Sequence, residues 1–518
     1  MKPMLSWLPA FGLGLSLLVS TPSRAAAAPP SRHLSRAVLL DKIRGGWAGQ
    51  MIGVSYGAPT EFRWLGRVID AEIKWAPDNV ENAIDQDDLY VEMTFARVMD
   101  TVGLEATCAQ YGEAFKHSKY ELWHANAAAR RALNQGHAAP ASGHPKYNIH
   151  ANDIDFQIEA DFIGLMCPGL PRAVNRYCDR VGRVMNYGDG VYGGMFVCGM
   201  YAAGFFEPDP RKVVEAGLAG IPAGSSYARL IRDLLDWSAR YPDDWRKVWQ
   251  MVEEKWDRDD PCPDGAQEPF NIDAKLNGAY IAFGLLFGGG DFARTMEIAT
   301  RCGQDSDCNP SSAAGVLGVM LGYDAIPERF KAGIPKLADR KFQFTDYSFN
   351  DIVKSTETRA LKVIRQAGGR VTDAEVVIPR QTPRPPRLEQ WDPGIPDGRI
   401  AATAPAWGWR GAWATDGALK VSKGPRNEAE FSFTGCAVVV MGRLNQQGGR
   451  AQVYLDGKRA GVMDTYIVER THDNALWHID GLKPGQHRLR IVTTGTSDAR
   501  SKGSAVAIEG AVVYRPRR

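Results

Sequence analysis

Gln304-Asp305-Ser306-Asp307-Cys308-Asn309, running on through Pro310 into the small-residue stretch Ala313 to Leu321, is the segment from which the fold can be read. Asn309 and Pro310 read as the N-cap and first residue of a helix. An Asn side chain satisfies open N–H groups there, and Pro sacrifices no hydrogen bond. Alternate carboxylates at a helix start repel each other unless a cation sits among them. A second cluster, Gln86-Asp87-Asp88-Leu89, poses the same problem far upstream. Mg²⁺ and Mn²⁺ prefer oxygen ligands, so the two clusters predict one dinuclear site closed by distant segments. The alternative is a pair of solvated helix caps.

Working outward, residues 41–368 carry a helical texture. Tyr227, Leu230, Ile231 and Leu234 follow the capping pair Ser225-Ser226, and Trp245, Val248, Trp249 and Val252 follow Asp243-Asp244. Residues 369–398 are rich in Pro and Arg and read as an extended linker, since proline forbids continued helix. Beyond it the period becomes two: Phe431 and Phe433 alternate with polar neighbours, and Val453-Tyr454-Leu455 meets the turn Asp456-Gly457. Residues 399–518 therefore read as a β-sandwich. The fold class expected is multidomain, all-α followed by a jelly-roll-like sandwich.

A chain of 518 residues exceeds one ordinary core. Lys and Arg number 62 against 60 Asp and Glu, which gives no electrostatic reason for a nucleic-acid partner. Residues 1–28, with Lys2, the apolar run Leu5 to Val19 and Ala25-Ala26-Ala27-Ala28, read as a secretory signal peptide. The expectation is an exported protein, periplasmic or extracellular, with no membrane insertion after cleavage. Eight cysteines suit such a compartment, in which some can pair.

The segment Ile43-Arg44-Gly45-Gly46-Trp47-Ala48-Gly49-Gln50-Met51-Ile52-Gly53, continuing through Gly57-Ala58-Pro59-Thr60-Glu61-Phe62, resembles the opening helix and turn of the ADP-ribosylglycohydrolase family. The two acidic clusters match that family's later motifs, in family order, and the resemblance covers roughly residues 36–345. It implies an all-α domain over 36–368 with two Mg²⁺ or Mn²⁺ ions in a cleft, hydrolysing a glycosidic bond at C1 of a ribose. Asp87, Asp88, Asp305 and Asp307 carry over as metal ligands. Hydroxyl ligands usual in the family are replaced by Gln86, which could coordinate through its amide oxygen, and by Cys308, for which Asn309 could substitute. Val54 stands where the family commonly has Asp.

Glu61 matches an acidic position near the family's cleft and could act on a bound water; the alternative is a solvated helix-end acid. In Asn152 to Phe162, Asp153 or Asp155 could serve as general base, with Phe156 and Glu159 on the substrate. Glu159 aligns with a family Arg, and that reversal of charge disfavours a diphosphate. Asp189 and Tyr192, in the glycine-rich turn Asn186 to Gly194, could contact a sugar or base; the alternative is a tight connection with buried tyrosines. Glu92, one helical turn from Asp88, could support it. Trp407, Trp409 and Trp413 open a sandwich similar to galactose-binding-like domains, either as core or as a sugar platform. The expected function is metal-dependent hydrolysis at C1 of a ribose-like or other furanosyl sugar, with a small-molecule glycoside or glycan favoured over ADP-ribosyl conjugates. The alternative is a non-catalytic carbohydrate-binding or scaffold protein on the same fold.

Overall fold

The computed structural model describes residues 30–517 apart from 258, 259 and 473, so the leader expected at 1–28 lies outside the described residues. Glycine spacing sets the centre of the helical domain. Gly45, Gly49, Gly53 and Gly57 recur every fourth residue along the helix Arg36–Gly57. A Cβ on each would come closer than 3.0 Å to the carbonyl oxygens of Gly318, Ala314, Pro310 and Ser306 in turn. The partner helix Cys308–Leu321 thus runs antiparallel in backbone contact, and both helices are buried over most of their surface. Gly53→Ala is expected to cost about 1–3 kcal/mol, because added volume between rigid backbones forces them apart. The expected readout is a lower urea midpoint with the slope retained; an unchanged midpoint would mean the helices have room.

Around this pair pack Asp87–Thr101, Asp189–Gly204, Ala274–Gly288, Phe292–Arg301 and Phe349–Gln366. The helices Ser226–Arg240 and Trp245–Trp256 form as expected, capped by Ser225 on the Ala228 amide and Asp244 on the Lys247 amide. One cap differs from expectation. The late helix begins at Cys308, with Asp307 at the N-cap position, and Asn309 lies inside the first turn. Its amide is satisfied by the Asp305 carbonyl (3.3 Å), which frees the Asn309 side chain for the interior.

The proline-rich stretch is ordered against the helical domain. Within it, Glu375–Pro379 forms a strand between Ser31–Ser35 and Arg370–Val371, burying Val376 and Ile378. Farther on, the Tyr192 hydroxyl accepts from the Glu389 amide (2.7 Å), and the Arg172 guanidinium donates to the Thr382 carbonyl (3.0 Å). A strip that cannot bond to itself is held by donors and acceptors from its neighbour.

The C-terminal region consists of two antiparallel sheets. One runs in the order Lys458–Asp464, Arg450–Leu455, Gly485–Thr494, Pro425–Gly435, Trp407–Arg410. The other runs Ala475–Ile479, Ala437–Gly442, Val506–Arg515, Leu419–Ser422, Ala414–Asp416, with Ile395–Ala401 also paired to Val506–Arg515. Phe431, Phe433, Val438, Val440, Val453 and Ile491 fill the space between them. Trp407 is buried against Phe431 and belongs to the core, while Trp409 and Trp413 pack on it half-buried.

The two regions share a further apolar seam in which Ile149 and Ala266 meet Val439, Met441, Val512 and Tyr514. The Tyr514 hydroxyl donates to the Pro261 carbonyl (2.8 Å), and Arg131 donates to the Ala475 carbonyl (2.6 Å). All eight cysteines are free thiols, so the pairing their number allowed does not occur. Among the described residues, no helix is long and apolar enough to cross a membrane.

Candidate metal centre and cleft

Contact of the glycine helix with the Ser306 backbone places the second acidic cluster beside Thr60. The Thr60 hydroxyl lies 2.7 Å from the Gly57 carbonyl, to which it donates, and 2.8 Å from Ser306 Oγ. Asp87 and Asp88 arrive at the same point from the start of Asp87–Thr101. Donor atoms of Asp87, Asp88 and Cys308 lie within 4.8 Å of one another, as do those of Asp305, Asp307 and Cys308. The two clusters therefore converge, with the Cys308 sulfur common to both.

Burial excludes the solvated-cap alternative: Asp88, Asp305 and Asp307 are 0–2 % exposed. Both oxygens of Asp88 and one each of Asp305, Asp307 and Asn309 have no hydrogen-bond partner. Burial, with the charges of Glu61 and Asp88 adding to it, pushes the Asp305 carboxyl up to about 8. Asp88 and Asp307 are raised well above the usual range by burial and by their acidic neighbours. Orphaned, mutually repelling carboxylates fit hard divalent cations, which would supply both the partner and the charge. Behind them Glu92 is fully buried and accepts from the Phe162 amide (2.8 Å), while Asp161 accepts from the Tyr201 (2.9 Å) and Ser312 (3.1 Å) hydroxyls.

The family profile for ADP-ribosylglycohydrolase matches residues 35–360. This chain belongs to the ADP-ribosylglycohydrolase family. A curated relative, an A type blood N-acetyl-α-D-galactosamine deacetylase of Flavonifractor plautii, is 31% identical over 140 residues. That match covers 26% of this chain and 17% of the relative, so the chain spans about a sixth of its length. Among solved structures, an ADP-ribosylglycohydrolase-related protein complex is similar with a TM-score of 0.43 at 15% identity, over 63% of this chain and 99% of that one. A family two carbohydrate esterase from Cellvibrio japonicus is similar with a TM-score of 0.17 at 14% identity, over 22% and 32%.

The family's acidic centre opens into a cleft of about 720 Å³. Glu61, Phe62, Gln86, Asp87, Tyr90 and Asp305 line it together with Trp123, His124, His150, Asp155 and Phe270. His472 and Asn474 reach in from the β-sandwich, the His472 ring lying flat on Trp123 at 4.7 Å. A slightly larger hollow of about 770 Å³ lies at the domain seam, but it contains none of the converging carboxylates.

Glu61 stands open at the rim. The surrounding protein and the charges of Asp307 and Asp87 push its carboxyl up to about 8. Gln86 sits on the wall with its amide nitrogen donating to Asn82 Oδ1 (3.0 Å). Asp155 faces the cleft while capping the helix His124–Asn134, accepting from the Ala125 (3.2 Å) and Asn126 (2.9 Å) amides. Burial raises it to about 6 against the pull of His124. Asp153 is buried off the cleft and bonded to His150 Nδ1 (2.8 Å).

Four expected substrate contacts fall elsewhere. Phe156 is a core ring packed on Gly182 and Gly194, with no exposed surface. Glu159 is buried, bonded to the Asn126 side-chain amide and absent from the cleft lining, so the charge-reversal argument built on it lapses. Tyr192 holds the proline-rich strip. Asp189 accepts from the Tyr227 amide (3.3 Å) beside a separate hollow that Asp273 and Lys275 also line. The helix Asp155–Ile158, with Glu159 at its C-cap, packs against Asp189–Gly204, which buries Phe156, Glu159 and Tyr192 and leaves Asp189 beside the other hollow. Trp123, His124, Phe270 and His472 carried no motif; His472 enters the cleft only through domain docking.

Proposed function

We propose that this ADP-ribosylglycohydrolase-family protein is an exported, metal-dependent glycosidase acting at C1 of a furanosyl sugar within a glycan or small glycoside. The composition of the cleft wall carries this reading. Among the described residues that line it there is no Lys or Arg, whereas Glu61, Asp85, Asp87, Asp155, Asp264 and Asp305 all do. Bound ions would pair Asp87 and Asp305, but no described side-chain cation on the wall would be left for a diphosphate; an uncharged sugar would meet the acceptors Asp85, Asp155 and Asp264 and the rings of Trp123 and Phe270. The relative named for deacetylating a blood-group sugar supports a glycan in the same sense. Export rests on the character of residues 1–28.

Bound Mg²⁺ or Mn²⁺ would polarise sugar hydroxyls and make a water acidic. Asp87, Asp88, Asp305 and Asp307 would hold the ions, with Asn309 Oδ1 in place of the thiol. Glu61, at the rim beside these carboxylates, is placed to give a proton to the leaving oxygen and to take one from water. Asp155 fixes the start of the helix that carries His124 and Asn126. Trp123→Ala is expected to raise KM about 2- to 10-fold with little change in kcat, matching the loss of about 0.5–1.5 kcal/mol of stacking. A change confined to kcat would remove Trp123 from sugar binding.

The deciding experiment is hydrolysis of a panel of furanosides, pyranosides and ADP-ribosyl conjugates, with Mn²⁺ or Mg²⁺ and again with chelator. Metal-dependent release from a furanoside or glycan is expected. Release from ADP-ribosyl conjugates alone would overturn the substrate reading. A glycan-binding protein without turnover is the second reading, favoured by one observation: Cys308 puts sulfur where hard ions prefer oxygen. Glycan binding with silence across the panel would establish it.

A further inference from the structure

Beside the acidic centre, four side chains of different chemistry converge where nothing in the proposed hydrolysis needs them. One donor atom each of His124, His150, Asp153 and Cys262 lies within 4.8 Å of all the others. His150 Nδ1 is 2.8 Å from Asp153 Oδ2 and 3.5 Å from the Cys262 sulfur, and His124 Nδ1 is 3.9 Å from the same Asp153 oxygen. We propose that these four residues bind a zinc-type ion, separate from the hard-cation centre, which pins the cleft wall.

A catalytic relay is the competing reading, and the geometry opposes it. In a Cys-His-Asp relay the acid orients one ring nitrogen while the other faces the sulfur. Here Asp153 and Cys262 both address Nδ1 of His150. The atoms surround a point instead of forming a line. A tetrahedral ion with bonds of about 2.0–2.3 Å separates its ligand atoms by about 3.3–3.7 Å, within the spread found here.

Unmet polarity points the same way. Asp153 is fully buried with Oδ1 unpartnered, and the buried His124 Nδ1 lacks a hydrogen bond. The neighbouring acids Asp260 and Asp273 are also buried, and Lys275 is paired with Asp273. Two imidazoles, a thiol and a single carboxylate suit Zn²⁺, and suit Mg²⁺ poorly. Four protein ligands leave no open position, so the ion is structural.

The ligands come from segments that need fastening. His124 begins a helix with a left-handed backbone (φ 36°), a conformation that an ordinary side chain adopts only under constraint. His150 and Asp153 lie in the loop that lines the cleft, with Asp153 bridged to Asp273. Cys262 follows Pro261, whose carbonyl receives the Tyr514 hydroxyl of the β-sandwich. One ion would join the cleft wall to the domain seam. A glycan-binding protein without turnover would carry it equally.

The test is titration of the metal-free full chain with Co²⁺ as the spectroscopic probe. Expected are a near-ultraviolet thiolate-to-cobalt band saturating with one ion per chain, loss of that band in Cys262→Ser, and its retention in Cys308→Ser. No saturable band overturns the proposal. So does a band lost in Cys308→Ser or in neither variant, since the thiolate would then belong to the acidic centre or to another cysteine. If Cys262→Ser fails to fold, His124→Asn replaces it. It is expected to keep the band but to weaken Co²⁺ at least about tenfold, and undiminished affinity would refute the site.

Discussion

Asp307→Asn is expected to abolish tight Mn²⁺ or Mg²⁺ binding and, with it, hydrolysis. The loss should exceed the roughly 10- to 100-fold typical of removing a mere supporting partner of a metal ligand. The same change should make the metal-free protein more stable. Asp307 is buried among acids, and its carboxyl is held well above the usual range by burial and by Asp305. Without an ion its charge opposes folding, and an amide of the same shape removes that cost. Thermal melts with chelator and with saturating Mn²⁺ should therefore cross: the variant melts higher than wild type without metal and lower with it. A variant that keeps its full complement of metal, or melts below wild type under both conditions, would show that Asp307 is not a ligand.

The metal-free protein should also lose stability as pH rises from about 4 to about 8. Asp305 and Asp161 are each pushed up to about 8, chiefly by burial, whereas an unfolded Asp titrates near 3.9. Between those values the native state holds protons that the unfolded chain has released. Rising pH therefore favours unfolding, and the dependence levels off above the native values. This is the reverse of acid denaturation in proteins with salt-bridged carboxylates. Saturating Mn²⁺ should flatten the fall, because the ion takes the place of the protons at Asp305. Melting points that rise from pH 5 to 8 in chelator would mean the cluster is neutralised by something other than protons or metal.

How much was legible depended on whether the information was local. The two acidic clusters could be recognised because carboxylates crowded at helix starts are locally unfavourable, and the structure brings them together as expected. The four-residue spacing of Gly45, Gly49, Gly53 and Gly57 was equally visible, although its meaning required the partner helix. The Asn152 to Phe162 run misled because polarity in sequence does not say which way a short helix faces. Asp155 reaches the cleft, but Phe156 and Glu159 point into the core. Glu375–Pro379 was hidden because the strand it pairs with lies 340 residues away, at Ser35 opposite Glu375.

By itself, the sequence determined the helical and strand-rich halves, the order of the family's motifs and the acidic composition of the centre. These follow from periodicity, turn chemistry and charge, which act between near neighbours. Only the tertiary structure decided the absence of Lys and Arg among the described residues of the cleft wall, the seam that brings His472 over Trp123, and the meeting of His124, His150, Asp153 and Cys262. Those depend on segments brought together by burial of apolar surface, a force that specifies contact without leaving a spacing in the chain.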